Sequence, residues 1–198
     1  MVNRKNLEKK FALISVFDKK NLRYLCSNLK KHNYNFVSSG STGNKIRSLG
    51  FQCKDLSKIT RSKEMFDGRV KTLNSLIYSS LLYKRDNPNH TKQFQSLKIP
   101  EINIVVVNLY PFEKFLARDN NKIVEMIDIG GPSLLRAASK NFKYVTPIIN
   151  TKDYEKLIKN LEKNQGVTDV TFRKRMAHKI FKEISRYDKI ISNWLNEN

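Results

Sequence analysis

Asp128 stands just ahead of Gly130-Gly131-Pro132, and Lys140 lies eight residues beyond that proline. Proline suits the first position of a helix, so the run 127–141 reads as a helix whose positive end carries the bare backbone amides of Gly130 and Gly131. A carboxylate placed there is stabilised as the anion, or pairs with a nearby lysine. The same spacing equally suits a capping Asp128 and a surface Lys140. Pro132 to Lys140 covers about 12 Å of ideal helix. Asp128 and Lys140 therefore meet only across a substrate of nucleotide length, or where the chain bends back.

Three further places carry groups for anion chemistry. Ser15, Asp18 and Lys19 close one apolar run, and Ser39-Gly40-Ser41-Thr42 closes another. Hydroxyls and backbone amides gathered in this way form an anion cradle, although Ser, Gly and Thr are also ordinary turn formers. It is not a P-loop, because no lysine follows the second glycine in the needed register. After the turn at Asp67-Gly68, Arg69 and Lys71 place two cations close together, either facing an anion or forming a solvated basic turn. Asn108 and Tyr110 follow the most apolar run of the chain.

The elements that must position these groups alternate in type. Residues 11–17 (FALISVF) form a short apolar run ending at Asp18, and Leu22, Leu25, Cys26 and Leu29 then recur at helical spacing. Strand is followed by helix. Residues 34–38 read as a second strand, broken by the Ser/Gly/Thr run before a short helical segment with Ile46 and Leu49. Residues 102–109 (INIVVVNL) are apolar almost throughout, as expected of a strand covered on both faces. Residues 144–149 (YVTPII) read as a further strand, and Pro147 places it near an edge. This alternation predicts an α/β fold with a parallel, helix-covered sheet, which presents ligand-binding groups at the carboxyl ends of its strands. Toward the C-terminus Phe172, Met176, Ile180, Ile184, Tyr187, Ile191 and Trp194 recur every three or four residues. They predict one long amphipathic helix, or two abutting ones, in a packing role.

Composition narrows the classes. The chain has 198 residues, 38 Lys plus Arg against 18 Asp plus Glu, a formal charge of +20 and 39% hydrophobic residues. That apolar content offsets chain entropy and excludes wholesale disorder. With no repeat or Pro/Gly-rich linker, residues 1–198 read as a single domain. The basic residues are scattered along the whole chain beside abundant Asn and Ile, which points to a compositional habit rather than a nucleic-acid surface. Cys26 and Cys53 lack metal-ligand spacing and are expected to be reduced core thiols, with no structural zinc. His32, His90 and His178 fall outside every motif and read as structural or solvent-facing. The N-terminus is polar and no apolar run approaches the roughly 20 residues a bilayer requires. A soluble cytoplasmic protein without membrane partners is expected.

Taken together these segments resemble the IMP cyclohydrolase domain of the bifunctional purine-biosynthesis enzyme (AICAR transformylase/IMP cyclohydrolase), of the methylglyoxal-synthase-like fold class. The resemblance rests on ALISVFDKKNL, FVSSGST, EMFDGRVKTL, VVVNLYPF, IDIGGPSLLRAASKN and RYDKIISNWL, ordered from Ala12 to Leu195. It implies dehydrative ring closure of formylated aminoimidazole carboxamide ribonucleotide to inosine monophosphate, a hydrolase-class activity on cyclic amidines with no metal and no organic cofactor. By motif position the catalytic residues fall on Lys71, Tyr110, Asp128 and Lys140. Nucleotide-binding positions fall on Ser15, Ser39, Gly40, Thr42, Arg69, Thr72, Asn108, Gly130 and Gly131, and Lys19 and Ser41 join them from the two strand-end loops. The resemblance implies that Asp128, tuned by Lys71, shuttles a proton while Lys140 and amides near Tyr110 hold the developing oxyanion. It further implies a homodimer.

Three departures from the family pattern stand out. Asn74 to Ser80 lacks the two histidines and the proline usual after Lys71-Thr72-Leu73. Phe17 replaces the second serine of the usual SVS motif. The transformylase half that follows in the family is absent from these residues, so a separate transformylase partner is expected to supply substrate. An inactive or weakened relative that acts as a nucleotide-binding or regulatory module is the alternative. The methylglyoxal synthase activity of the fold class fits less well, because the purine-enzyme motifs match instead.

Overall fold

The computed structural model describes residues 9–61, 66, 69–70, 72–115 and 123–197. Strand β1 (Lys10–Val16) sends Ala12, Ile14 and Val16 to one face of a sheet and Leu13 to the other, and all four are buried. A strand apolar on both faces requires helices on both sides. The chain continues through α1 (Leu22–Lys31), β2 (Tyr34–Ser38), α2 (Gly40–Ser48), β3 (Cys53–Asp55), α3 (Ser57–Thr60), α4 (Ser75–Leu82) and α5 (Pro88–Leu97). It then forms β4 (Ile102–Asn108), α6 (Gly130–Lys140), β5 (Thr146–Ile148), α7 (Tyr154–Lys163) and α8 (Val170–Glu197). Every strand pair is parallel and the order is β3-β2-β1-β4-β5. The fold is α/β with a helix-covered parallel sheet, as expected.

The order runs outward from β1 to β3 and then restarts on the other side of β1 with β4. The two halves of the sheet part at this reversal, which opens a crevice at the carboxyl ends of β1 and β4, where Val16 lies opposite Asn108. One face of the sheet packs on Leu25 and Leu29 of α1 and on Leu157 and Leu161 of α7. The opposite face packs on Ile77 and Leu81 of α4 and on Leu134, Leu135 and Ala138 of α6. Each fully buried aliphatic side chain of this kind contributes about 1.5–3 kcal/mol.

The C-terminal apolar series is one continuous helix, α8, and it does more than cover a face. Phe172 and Met176 enter the first core, Ile180 and Ile184 the second, and Tyr187 and Trp194 a third small cluster with Phe112 and Ile123 beside the crevice. β5 is an edge strand, as Pro147 requires. One local expectation changes, and one helix had no expectation. The Ser/Gly/Thr run after β2 is not a loop: Gly40, at φ 51, turns the corner directly into the first turn of α2. Helix α5 buries none of its residues and therefore carries no apolar stripe for a sequence pattern to reveal.

Cys26 is buried and Cys53 half-buried, both as free thiols. Burial pushes Cys26 up to about 12, and burial opposed by Arg47 pushes Cys53 up to about 11, so both stay protonated and unreactive at neutral pH. Among the described residues, no helix is long and apolar enough to cross a membrane.

Candidate functional site

The crevice at the β1–β4 reversal is a cavity of about 640 Å³, within the range of a small-molecule site. Ser15, Lys19, Ser39, Ser41 and Thr42 line it from the β1 and α2 side. Asn108 and Tyr110 line it from the end of β4, and Arg69, Thr72, Asp128, Gly130 and Gly131 from the far side. Loops far apart in sequence thus converge on one polar cleft.

Two of these residues serve the scaffold as well as the cleft. The Thr42 hydroxyl accepts from Val16 N–H at 3.1 Å and donates to the Val16 carbonyl at 3.0 Å, and the side chain is buried. Its one O–H proton is spent in joining β1 to α2, so toward the cleft the hydroxyl can only accept. The Asn108 carboxamide accepts from Asp18 N–H and donates to the Asp18 carbonyl, both at 2.9 Å, pinning the β1 loop to β4. Gly40 is not part of the lining; it makes the turn that lets Ser39 and Ser41 reach the cleft. Ser39 makes no side-chain cap at α2, so the first-turn amides of that helix lack a side-chain acceptor.

Asp128 is half-buried against the start of α6. Its Oδ1 accepts from Gly131 N–H at 2.8 Å, so it caps the helix and lines the cleft at once. Burial raises its pKa above the usual carboxylate value, against the lowering effect of the Gly131 amide. The two glycines leave room for side chains that line the cleft. A Cβ at Gly131 would come within 2.5 Å of Asp128 Oδ2 and 3.0 Å of Leu109 Cδ2, and one at Gly130 would run into the Thr72 hydroxyl.

Arg69 pairs with Glu125, a partner that sequence reasoning missed because it lies 56 residues away. Both side chains are more than half exposed, so the pair is worth less than about 1 kcal/mol and is readily exchanged for an anionic ligand. Phe17 and Tyr110 stack in a tilted pair with ring centroids 4.8 Å apart. With Leu73, Val124, Ile127 and Ile129 they give the cleft an apolar portion that no motif announced. A second cavity, also of about 640 Å³, adjoins the cleft across Phe17 and Tyr110 and extends toward α8.

One expected catalytic lysine is not brought to Asp128, and another falls outside the described residues. Lys71 lies outside the described residues, as do Asp67 and Gly68. Lys140 is exposed at the opposite end of α6, about 15 Å of helix rise from Gly130, and does not line the cleft. The helix runs unbroken from Gly130 to Lys140, so the chain does not turn back within it. The altered segment 74–80 contributes nothing to the lining; Asn74 caps α4 by accepting from Leu76 N–H at 2.9 Å. None of the three histidines lines the cleft, and among the described residues no group of three or more His, Cys, Asp or Glu is arranged for a metal ion.

A parallel sheet covered on both faces, with a polar cleft at its reversal point and a helix N-terminus on each side, defines an α/β domain whose cleft has the size of a small-molecule site. The chain belongs to the MGS-like domain family, whose model matches residues 21–133. Residues 138–198 match the model of the AICARFT/IMPCHase bienzyme. Among its relatives, the bifunctional purine biosynthesis protein PurH of Magnetococcus marinus is 41% identical over 190 residues, covering 94% of this chain and 36% of the relative. PurH of Clostridium perfringens is 44% identical over 191 residues, covering 96% and 38%. The chain thus spans little more than a third of the length of these curated relatives. A solved structure titled "Crystal structure of ForH" superposes with a TM-score of 0.85 at 27% identity, covering 94% of this chain and 97% of that one.

Proposed function

We propose that the chain closes the ring of 5-formamidoimidazole-4-carboxamide ribonucleotide, with loss of water, to give inosine monophosphate. The observation that carries this reading is Asp128, a carboxylate with raised pKa, set against the glycine amides of α6 inside a cleft whose opposite wall carries serine hydroxyls, Lys19 and the start of α2. In this reading the phosphate takes the Ser15, Ser39 and Ser41 side, where Arg69 can leave Glu125 for it. The planar base takes the apolar portion near Tyr110 and Ile127.

The chemistry then follows from position. The carboxamide nitrogen loses one proton as it bonds to the formyl carbon, and the formyl oxygen takes up a proton to become a hydroxyl. That hydroxyl leaves as water together with the proton of the former formamide N–H. Asp128 is the group that carries protons between these atoms, a role worth about 10²- to 10⁴-fold. Because the reaction is intramolecular, a pocket that selects the reactive rotamer supplies much of the remainder. Lys71 is assigned to tune Asp128, and Tyr110 and nearby amides to hold the oxyanion. Lys140 can share that role only from a second copy of the chain, in the expected homodimer, since its own α6 carries it away from Asp128. A formyl-transferring activity supplies the substrate, in the cytoplasm.

The test is direct: incubate the pure protein with the formylated ribonucleotide and follow the ultraviolet change as the purine forms. Catalysed closure that is lost in Asp128→Asn supports the reading. Tight binding of inosine monophosphate without turnover would identify a nucleotide-binding or regulatory module instead.

A further inference from the structure

We propose that Tyr187 is a positioning residue whose hydroxyl holds Asp128 in the cleft and whose ring ties it to the Tyr110 loop. The Tyr187 hydroxyl accepts from Asp128 N–H at 2.8 Å and donates to the Met126 carbonyl at 3.3 Å. It therefore bridges the turn that delivers Asp128, at a point where the backbone belongs to neither helix nor strand. With Gly131 N–H on the carboxylate and Tyr187 on the backbone amide, Asp128 is fixed from α6 and α8 together.

The ring has a second task. It lies edge-on to Phe112, with centroids 6.5 Å apart, and Phe112 in turn meets Trp194 at 5.7 Å. Phe112 N–H donates to the Tyr110 carbonyl at 2.8 Å, so packing on Tyr187 reaches the loop that presents Tyr110. A phenylalanine at 187 would fill the same space; the hydroxyl is what a purely packing residue does not need. Burial raises the Tyr187 pKa, which keeps the hydroxyl protonated and able to donate.

This inference rests on the acid/base reading of Asp128, and Tyr187→Phe tests it. Turnover is expected to fall about ten- to a hundredfold, as small displacements of a reacting group do, with inosine monophosphate affinity unchanged. Freed of its anchor, Asp128 gains solvent, so the acidic limb of the rate–pH profile moves to lower pH. The other charged groups lining the cleft are Lys19 on the opposite wall and the paired Arg69 and Glu125, and Asp188, beside Tyr187 on α8, pairs with Arg136. Trp194→Phe disturbs the same cluster without touching the hydroxyl and is expected to lower Tm while leaving the acidic limb in place. A Tyr187→Phe protein that loses only thermal stability, with kcat and the acidic limb at wild-type values, overturns the proposal. Amide hydrogen exchange separates this failure from that of the enzyme reading. If the wild-type protein shows no turnover, or Asp128→Asn retains it, the acid/base assignment falls, and faster exchange over residues 123–131 in Tyr187→Phe still supports the anchor. Unchanged exchange there sinks it.

Discussion

The two walls of the cleft are held in different ways. On the β1 and α2 side, Thr42 bonds both backbone groups of Val16, and Ser38 donates to the Ile14 carbonyl at 2.6 Å. These ties join neighbouring elements of one β-α-β-α run. On the Asp128 side the decisive bond comes from Tyr187, 59 residues further along the chain. The first wall is assembled as its own strands pair. The second waits for the C-terminal helix to dock, so its geometry depends on packing that no local sequence controls.

Substitutions at each wall sharpen this contrast. The largest effect is expected from Asp128→Asn, which lowers turnover by about 10²- to 10⁴-fold in the ring-closure assay and leaves inosine monophosphate affinity nearly intact; retained turnover removes Asp128 from the chemistry. Next is Thr42→Val, which leaves Val16 N–H and C=O without their partner inside the first wall. Each orphaned group costs about 1–3 kcal/mol, so urea denaturation should show a loss of that order, and a neutral result would mean that α2 does not depend on this bond.

A smaller effect runs in the opposite direction. The folded-state pKa of Asp128 lies above its ordinary value of 3.8, so the folded protein binds the proton more tightly than the unfolded chain. Its contribution to stability is favourable at low pH and is lost as pH rises through the raised pKa. Asp128→Asn should therefore be more stable than wild type at pH 7, where the wild-type carboxylate is charged and half-buried, with no gain in acid. Thermal melts at both pH values check this, and a neutral-pH loss would show that the charged carboxylate is supported by more than the Gly131 amide. The smallest effect is expected from Glu125→Gln, whose exposed pair with Arg69 should change stability by no more than about 0.5 kcal/mol. A loss well beyond that would make the pair part of the scaffold rather than a displaceable lid on an anion site.

Much of this arrangement is written in local pattern. The apolar run of β4, the helical spacing of Leu22, Leu25 and Leu29, the edge position of β5 from Pro147 and the helix start at Gly130-Gly131-Pro132 all follow from residues within a few positions of one another. Periodicity and backbone stereochemistry act over that range. The same reasoning marked Ser15, Tyr110 and Asp128 as groups at strand or helix ends and Arg69 as a cation after a turn, and the cleft gathers all four.

What escaped it depends on distance. Spacing left the Asp128–Lys140 question open, and the unbroken length of α6 separates the pair. The Thr42 hydroxyl looked available and is bonded to β1. Tyr187 looked like one more apolar position on α8, yet its hydroxyl ends at Asp128. The linear order of residue types determines which segments become strands and helices, because those choices are made turn by turn. Where a hydroxyl, a cation or a ring comes to rest is set by how whole elements dock, since contacts dozens of residues apart exist only once the sheet and its helices have closed around a shared core.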